Sequence, residues 1–392
     1  MNPSTLPEQP RLRIAVLNRH FSAKGGGAER YSMALVEHLA ARHEMHVFAQ
    51  HVDHQWPDVT YHRVAQPFAR PRWLNQLWYA TATWWATRRG FDVVHSHENT
   101  WHGQIQTVHV LPVKYNLFHG RQGLAWLLRW VKVLTSPRLL AYLALERSRF
   151  SVKSGRTIVV TSATLVPQVL EAYPACKDAI EVLTPGVERV YGVATEQEKS
   201  ASRLALGLSK DGFCILFVGN DFGKKGLATL IKALSQLPTH CYVAVVGNLA
   251  QKPQFAAQAM ACGVTERVVF LGQLADVGSA YQAADCLAHP THEDTFAMVV
   301  LEAMSHGLPV VVSGEKYCGI AGLLQHGVHA LVLVDPMDEY ELSAALLHLC
   351  HESVTFARFE LAALNFASEH LWGTIARQQG LCYQRIAAIT DH

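Results

Sequence analysis

The chain has 392 residues, 49% of them hydrophobic and 17% charged, with a formal net charge of +2. That length suggests two or three domains, and the composition excludes a disordered chain. A near-neutral charge argues against wholesale nucleic-acid binding, so any basic surface is local. The eight cysteines form no CxxC pair and mostly sit in apolar or helical runs, which reads as buried free thiols in a reducing compartment. Met1 to Arg13 is Pro-rich and polar rather than signal-like, and no charge-free run reaches about 18 apolar residues. The expected location is the cytoplasm, at a membrane face.

Short apolar runs alternate with helical patterns, which is the signature of parallel sheets covered on both faces. Arg13–Leu17 reads as a strand, Gly25-Gly26-Gly27 as a loop, Ala28–Arg42 as an amphipathic helix and Met45–Phe48 as the next strand. Another strand near Phe91–His95 ends in a His-rich loop, and Thr157–Val160 closes the first series. A second series follows, with strands at Cys214–Gly219, Tyr242–Val246, Val268–Leu271, Cys286–Ala288, Pro309–Val312 and Ala330–Val334. Helical patterns separate these near Leu227–Leu237, Pro253–Cys262, Val277–Ala284, Phe296–His306 and Glu339–His351. The polar stretch within Pro185–Ser209 marks the join. The expectation is two doubly wound, Rossmann-like α/β domains facing across a cleft, with a ligand at the carboxyl ends of both sheets.

Three segments carry chemistry. The glycine triplet stands between a strand and a helix, where backbone amides attract anions; read alone it is equally a tight turn, and it lacks the GxGxxG spacing. Gly219 to Gly226 brackets Lys224-Lys225 after the first strand of the second series. Two lysines there suit a diphosphate, and Gly226 stands where a P-loop requires Ser or Thr. The third segment, His289 to Met304, has a strand ending at Ala288 and a helix expected from about Thr295. On such a helix Asp294 and Glu302 would lie about 80° apart after two turns, with the amides near Phe296 and Ala297 at its positive end. From spacing alone, Asp294 is as well a simple N-cap and Glu302 a surface acid.

The order of these segments resembles the retaining glycosyltransferases of family four, which have the GT-B fold. Pro185-Gly186-Val187, Phe270-Leu271-Gly272 and Ala283-Ala284-Asp285 add to the resemblance, which runs from about Arg13 to Ile389. Within the family, the blocks Val218–Gly226 and His289–Ala303 are most similar to the lipopolysaccharide core glucosyltransferases. The resemblance implies an acceptor-binding domain over residues 1–190, a nucleotide-sugar domain over 191–368 and a helix over 369–392 that returns to the first domain. It implies that Lys225, with Lys224 and Gly219 beside it, meets the donor diphosphate, and that Glu302 binds the ribose. Asp294 stands where the family's first acid, usually Glu, reaches the sugar, with Glu293 next to it. The amides of Phe296, Ala297 and Met298 would hold phosphates, and Asn220 replaces an arginine common in the family. In the first domain Gly26 and Gly27 match the paired glycines beside the donor, and His109, in Thr107-Val108-His109, matches an active-site histidine. His109, Asp294 and Lys225 are thus the expected catalytic set. The sugar nucleotide is a co-substrate; no cofactor and no metal are expected, there being no Asp-x-Asp element and only a scattered His95, His97 and His102. The implied reaction moves a hexose from a UDP-sugar, UDP-glucose first, to a lipopolysaccharide core or another membrane-borne glycan.

Arg121–Ser136 is basic and aromatic. At 100° per residue Arg121, Arg129, Lys132 and Ser136 share an arc of about 80°, with Trp126, Leu127, Trp130 and Val133 on the other side. That pattern suits a helix in an anionic membrane interface, or one packed on its own domain with snorkelling cations. The family resemblance favours the membrane, with Arg121, Trp126, Arg129, Trp130 and Lys132 in contact and the enzyme peripheral on the inner membrane. The aromatic stretch Trp73–Trp85, with Trp78, Trp84 and Trp85, is expected to be buried. Two other functions remain open: a GT-B sugar-nucleotide epimerase, and a non-catalytic sugar-nucleotide-binding protein.

Overall fold

In the computed structural model, which describes residues 10–22, 26–351 and 353–390, the alternating pattern forms two compact units. The first comprises Met1–Thr184 with Trp372–His392, and the second Pro185–Leu371.

The first unit is built on a parallel sheet of seven strands: β1 Arg13–Leu17, β2 Glu44–Ala49, β3 Val59–Arg63, β4 Val93–Ser96, β5 Ile105–Val108, β6 Thr157–Val160 and β7 Ile180–Val182. Their spatial order is β3-β2-β1-β4-β5-β6-β7. The order reverses beside β1, the switch point at which doubly wound sheets open a site at their carboxyl ends. Helix α1, Gly27–Ala40, follows β1; α2 spans Arg72–Thr87 and α3 Gly123–Leu134. Strands β3, β5 and β7 lie outside the expected elements. β5 buries Gln106 and Thr107, so its apolar signature is broken, while β3 is half exposed and β7 has three residues.

The second unit carries the strands β8 Phe213–Val218, β9 Cys241–Val246, β10 Val268–Gly272, β11 Cys286–His289, β12 Val310–Ser313 and β13 Leu331–Leu333, in the order β10-β9-β8-β11-β12-β13. Because side chains alternate along a strand, Cys214, Leu216 and Val218 of β8 enter one core and Ile215 and Phe217 the other. Both faces are covered, so these strands read as continuous apolar runs. The helices α4 Glu196–Ala205, α5 Leu227–Leu234, α6 Met298–Ser305 and α7 Glu339–His351 flank this sheet. A complete capping box on Thr195 starts α4. At the sheet's amino edge, Asp285 accepts from Lys199 Nζ (3.0 Å), Arg203 Nη2 (2.6 Å) and the Cys214 amide (2.6 Å), tying α4 to two strands. Helix α8, Trp372–Thr390, belongs to the first unit and packs on α1.

Candidate active site

The carboxyl edge of the second sheet gathers the charged residues. After β8 the loop turns through Gly219, where a Cβ would come within 2.8 Å of Lys225 Cγ; the missing side chain leaves room for the lysine stem. Asp221 closes the loop: its carboxylate accepts from the Lys224 amide (3.1 Å) and its carbonyl from the Lys225 amide (2.9 Å). Gly226 has φ +82°, and a Cβ there would lie 1.9 Å from the Pro290 carbonyl oxygen, so only glycine lets this loop approach the segment after β11. The His292 amide donates to Lys224 O (2.9 Å), lacing the two loops together.

Asp294 is the hub. Its Oδ2 accepts from Lys225 Nζ at 2.5 Å and lies 3.3 Å from His289 Nε2, while Oδ1 accepts from the amides of Phe296 (3.3 Å) and Ala297 (2.9 Å). Burial alone would raise its pKa, but His289 and the Lys225 charge together outweigh burial and hold it well below the usual carboxylate range. The same burial lowers the pKa of His289. Lys224 pairs with Glu293 at 2.9 Å in a more exposed setting.

Helix α6 starts at Met298, not near Thr295, so the angle expected between Asp294 and Glu302 does not apply. Residues 294 to 296 instead pair with the neighbouring loop: the Asp294 amide donates to Tyr317 O, and Gly319 and Ile320 donate to Asp294 O and Phe296 O. Ala297 then takes φ 71° and ψ 68°, a left-handed conformation that costs a non-glycine residue energy and turns the chain into α6. The amides of Phe296 and Ala297, expected at phosphates, are engaged by Asp294; the first amides of α6 itself, from Met298, are those that helix geometry leaves without intrahelical partners. On α6 the Glu302 carboxylate accepts from Tyr281 Oη at 2.8 Å, an orienting partner that the sequence did not suggest.

In the first unit, Gly26 is the N-cap of α1 and Gly27 its first residue, while Gly25 lies outside the described residues. His109 follows β5, with Nε2 3.0 Å from His97 Nδ1 and its ring edge-on to Tyr31. Burial, then the Arg149 charge and His95, lower its pKa to about 3, so the imidazole is neutral at pH 7. His95 does not point outward: it is fully buried, with Nδ1 at 2.7 Å from Tyr383 Oη and Nε2 at 2.6 Å from Thr107 Oγ1. His102 is half-buried, and among the described residues neither of its ring nitrogens has a hydrogen-bond partner. Histidines 95, 97 and 102 form no metal-ligating group among the described residues. The Arg19–Glu98 pair (2.9 Å), beside β1 and β4, was not expected.

Helix α3 corrects the expected membrane face. Trp130 and Val133 turn inward onto Leu117, Phe118 and Leu139, with Val133 fully buried. The exposed stripe is Leu124, Leu127, Leu128, Val131 and Leu134, each at least half exposed. Lys132 is exposed at one edge of this stripe and half-buried Arg129 lies on the far side of the helix from it, Trp126 is partly exposed beside Trp130, and Arg121 is spent on the carbonyls of Asn116 and Leu117 in the preceding helix. On α2 the tryptophans are likewise not buried: Tyr79, Ala80, Thr83 and Thr87 form the inner face and leave Trp78, Trp84 and Trp85 exposed.

Residues 25–190 match the family model of glycosyltransferase family 4, and residues 212–352 that of group 1 glycosyl transferases. The lipopolysaccharide glucosyltransferase WaaG of Escherichia coli K12 is 30% identical over 220 residues, 54% of this chain and 58% of the relative. A D-inositol 3-phosphate glycosyltransferase of Thermobispora bispora is 28% identical over 241 residues, 58% and 55% of the two chains. The match thus spans little more than half the length of these curated relatives. A crystal structure of WaaG, a glycosyltransferase involved in lipopolysaccharide biosynthesis, superposes with a TM-score of 0.79 over 97% of this chain and 100% of that one, at 20% identity. Anabaena HepE, crystallised with UDP-glucose, gives 0.71 over 94% and 98%, at 19% identity. The fold is that of these glycosyltransferases, GT-B.

Proposed function

From the premise that the chain belongs to the family-four, group 1 glycosyltransferases, which both of its halves match, we propose that it is a retaining, metal-independent hexosyltransferase. Its donor is a UDP-sugar, UDP-glucose first, and its acceptor a lipopolysaccharide core presented at the inner membrane face. The observation that carries this reading is the Lys225–Asp294 contact at the carboxyl edge of the second sheet, beside the helix that bears Glu302. A fixed cation, a fixed acid and the first amides of a helix suit a diphosphate with a sugar attached.

In the proposed reaction the bond from the anomeric carbon to the diphosphate oxygen breaks while the acceptor hydroxyl attacks the same face. The acceptor's proton passes to the departing diphosphate, whose charge Lys225, Lys224 and the amides from Met298 stabilise. Glu302, oriented by Tyr281, binds the ribose hydroxyls; Asp294 meets the sugar; Gly219 gives Lys225 its room. The UDP-glucose complex of HepE and the name of WaaG support the donor, and the exposed leucine stripe of α3 supports a membrane-borne acceptor. The D-inositol 3-phosphate relatives favour a second reading, in which the acceptor is a small phosphorylated polyol.

Calorimetric titration with UDP-, GDP- and ADP-sugars in EDTA tests the donor site. One UDP-sugar should bind in the micromolar range, and Glu302→Ala should abolish the heat. Absence of binding by every sugar nucleotide, with and without truncated lipopolysaccharide, would overturn the reading.

A further inference from the structure

A second cluster lies at the opposite, amino edge of the same sheet. His240, Cys241 and Cys350 each offer one ligand atom, and the three atoms lie within 4.8 Å of one another. Cys241 Sγ is 3.8 Å from Cys350 Sγ, and His240 Nε2 is 3.3 Å from Cys350 Sγ. Around a tetrahedral zinc ion, with Zn–S near 2.3 Å and Zn–N near 2.0–2.1 Å, neighbouring donors stand about 3.8 Å (S to S) and about 3.6 Å (N to S) apart. We propose that His240, Cys241 and Cys350 bind a thiophilic transition-metal ion of the zinc type, with a fourth position open to solvent.

The backbone around the cluster is built to hold it. Gly212, at φ +98°, lies where a Cβ would be 2.3 Å from the His240 carbonyl oxygen, and the Phe213 amide donates to that oxygen at 3.0 Å. The Cys241 amide donates to Pro238 O (3.0 Å), and Arg267 Nε donates to Cys241 O at 2.8 Å. Arg267 also reaches the carbonyls of Leu237 and Pro238, so two ligands sit on a turn fixed from three sides. The third arrives on the last turn of α7, from 109 residues away. Cys241 is fully buried, Cys350 half-buried and His240 exposed, which gives the ion an entry path. No CxxC spacing announces the site because the tertiary fold assembles it.

The thiolate, not the thiol, is the form that binds such an ion, so binding is favoured as pH rises. Lys225 and Asp294 stand at the other end of the strands, so this ion takes no part in transfer and is compatible with donor binding in EDTA.

The test is a cobalt(II) titration of the reduced, chelator-treated full chain, followed by displacement with zinc. One ion per chain should bind with thiolate-to-cobalt charge-transfer absorption and the intense visible bands of a tetrahedral site. Cys350→Ser should cut the charge-transfer band to half or less and weaken binding, and His240→Ala, at an exposed position that does not threaten folding, should weaken binding at least about tenfold. Cys262→Ser, which removes a thiol outside the cluster, should leave the titration unchanged. The proposal is overturned by absence of the band in the fully reduced protein, by a band of undiminished intensity in Cys350→Ser, or by an unchanged affinity in His240→Ala. None of these readouts uses transfer activity.

Discussion

Lys225 Nζ lies 2.5 Å from Asp294 Oδ2, so the cation proposed to meet the donor diphosphate is held by the acid proposed to meet the donor sugar. Both groups are about four-fifths buried, so removing either one leaves a poorly solvated charge and is costly. Lys225→Met should lower kcat by roughly 100- to 1,000-fold, the range for losing one preorganised donor in such a site. Asp294→Asn keeps an oxygen for the Ala297 amide while removing the charge that holds Lys225. It should fold, bind UDP normally and lose sugar-dependent affinity. Titrating each variant with UDP and with the UDP-sugar separates the two roles; equal loss of both ligands in Asp294→Asn would remove the sugar contact from that residue.

Stability should fall in mild acid because of two histidines, His95 fully buried and His109 half-buried. Burial and Arg149 lower the pKa of His95 to about 3, and His109 reaches about 3 for the same reasons with His95 added. The unfolded chain takes up these protons below the ordinary value near 6.5, while the folded chain resists them. The stabilisation is therefore complete above pH 6.5 and lost progressively as pH falls from 6.5 toward 3. At about pH 5 each such histidine costs up to about 2 kcal/mol. Urea unfolding at about pH 7.5 and about pH 5 should show a lower midpoint in acid, with a smaller gap in His109→Gln; coincident midpoints would show that these rings are not held neutral.

Much of this molecule was legible because its second sheet is covered on both faces. Continuous apolar strands such as β8 announce themselves, and Thr157–Val160 and Glu339–His351 were delimited to the residue. What hid was polar burial: β5 carries Gln106 and Thr107 inside, and no periodicity marks them. The charged residues around Asp294 were legible in type and order but their geometry was not, since Ala297 takes a left-handed conformation that no propensity favours and delays the helix to Met298. On α3, amphipathicity identified the helix but not which apolar arc the domain claims, because Trp130 and Leu127 are equally apolar and only Trp130 meets Phe118. Partners distant in sequence, such as Tyr281 for Glu302 or Cys350 for Cys241, left no local signal.

The exposed stripe of α3 should be a membrane anchor. Leu124, Leu127, Leu128 and Val131 together present apolar side chains whose burial is worth about 1.5–3 kcal/mol each, beside the cation of Lys132. Leu127→Glu with Leu128→Glu should abolish co-flotation with anionic liposomes, and Trp130→Phe should leave it intact because Trp130 packs inward. UDP-sugar binding in solution should be unchanged in both. Flotation that persists in the double variant, or that ignores anionic lipid content, would sink the anchor.

Asp285 should matter to the fold rather than to the donor. It accepts from Lys199, Arg203 and the Cys214 amide at the amino edge of the second sheet, where Arg203 is almost wholly enclosed. Removing the carboxylate leaves the Arg203 guanidinium, among the described residues, with the carbonyls of Ala283, Lys210 and Gly212, a buried cation without its counter-charge. Asp285→Ala should therefore cost roughly 3–5 kcal/mol, the range for one partner lost from a buried pair. Asp285→Asn should cost less, since it still accepts from the Cys214 amide. Chemical denaturation gives the stabilities, and calorimetry below the transition should find donor affinity within about twofold of the parent. A collapse of donor binding in a still-folded Asp285→Asn protein would show that this network reaches the active site through the strands it joins.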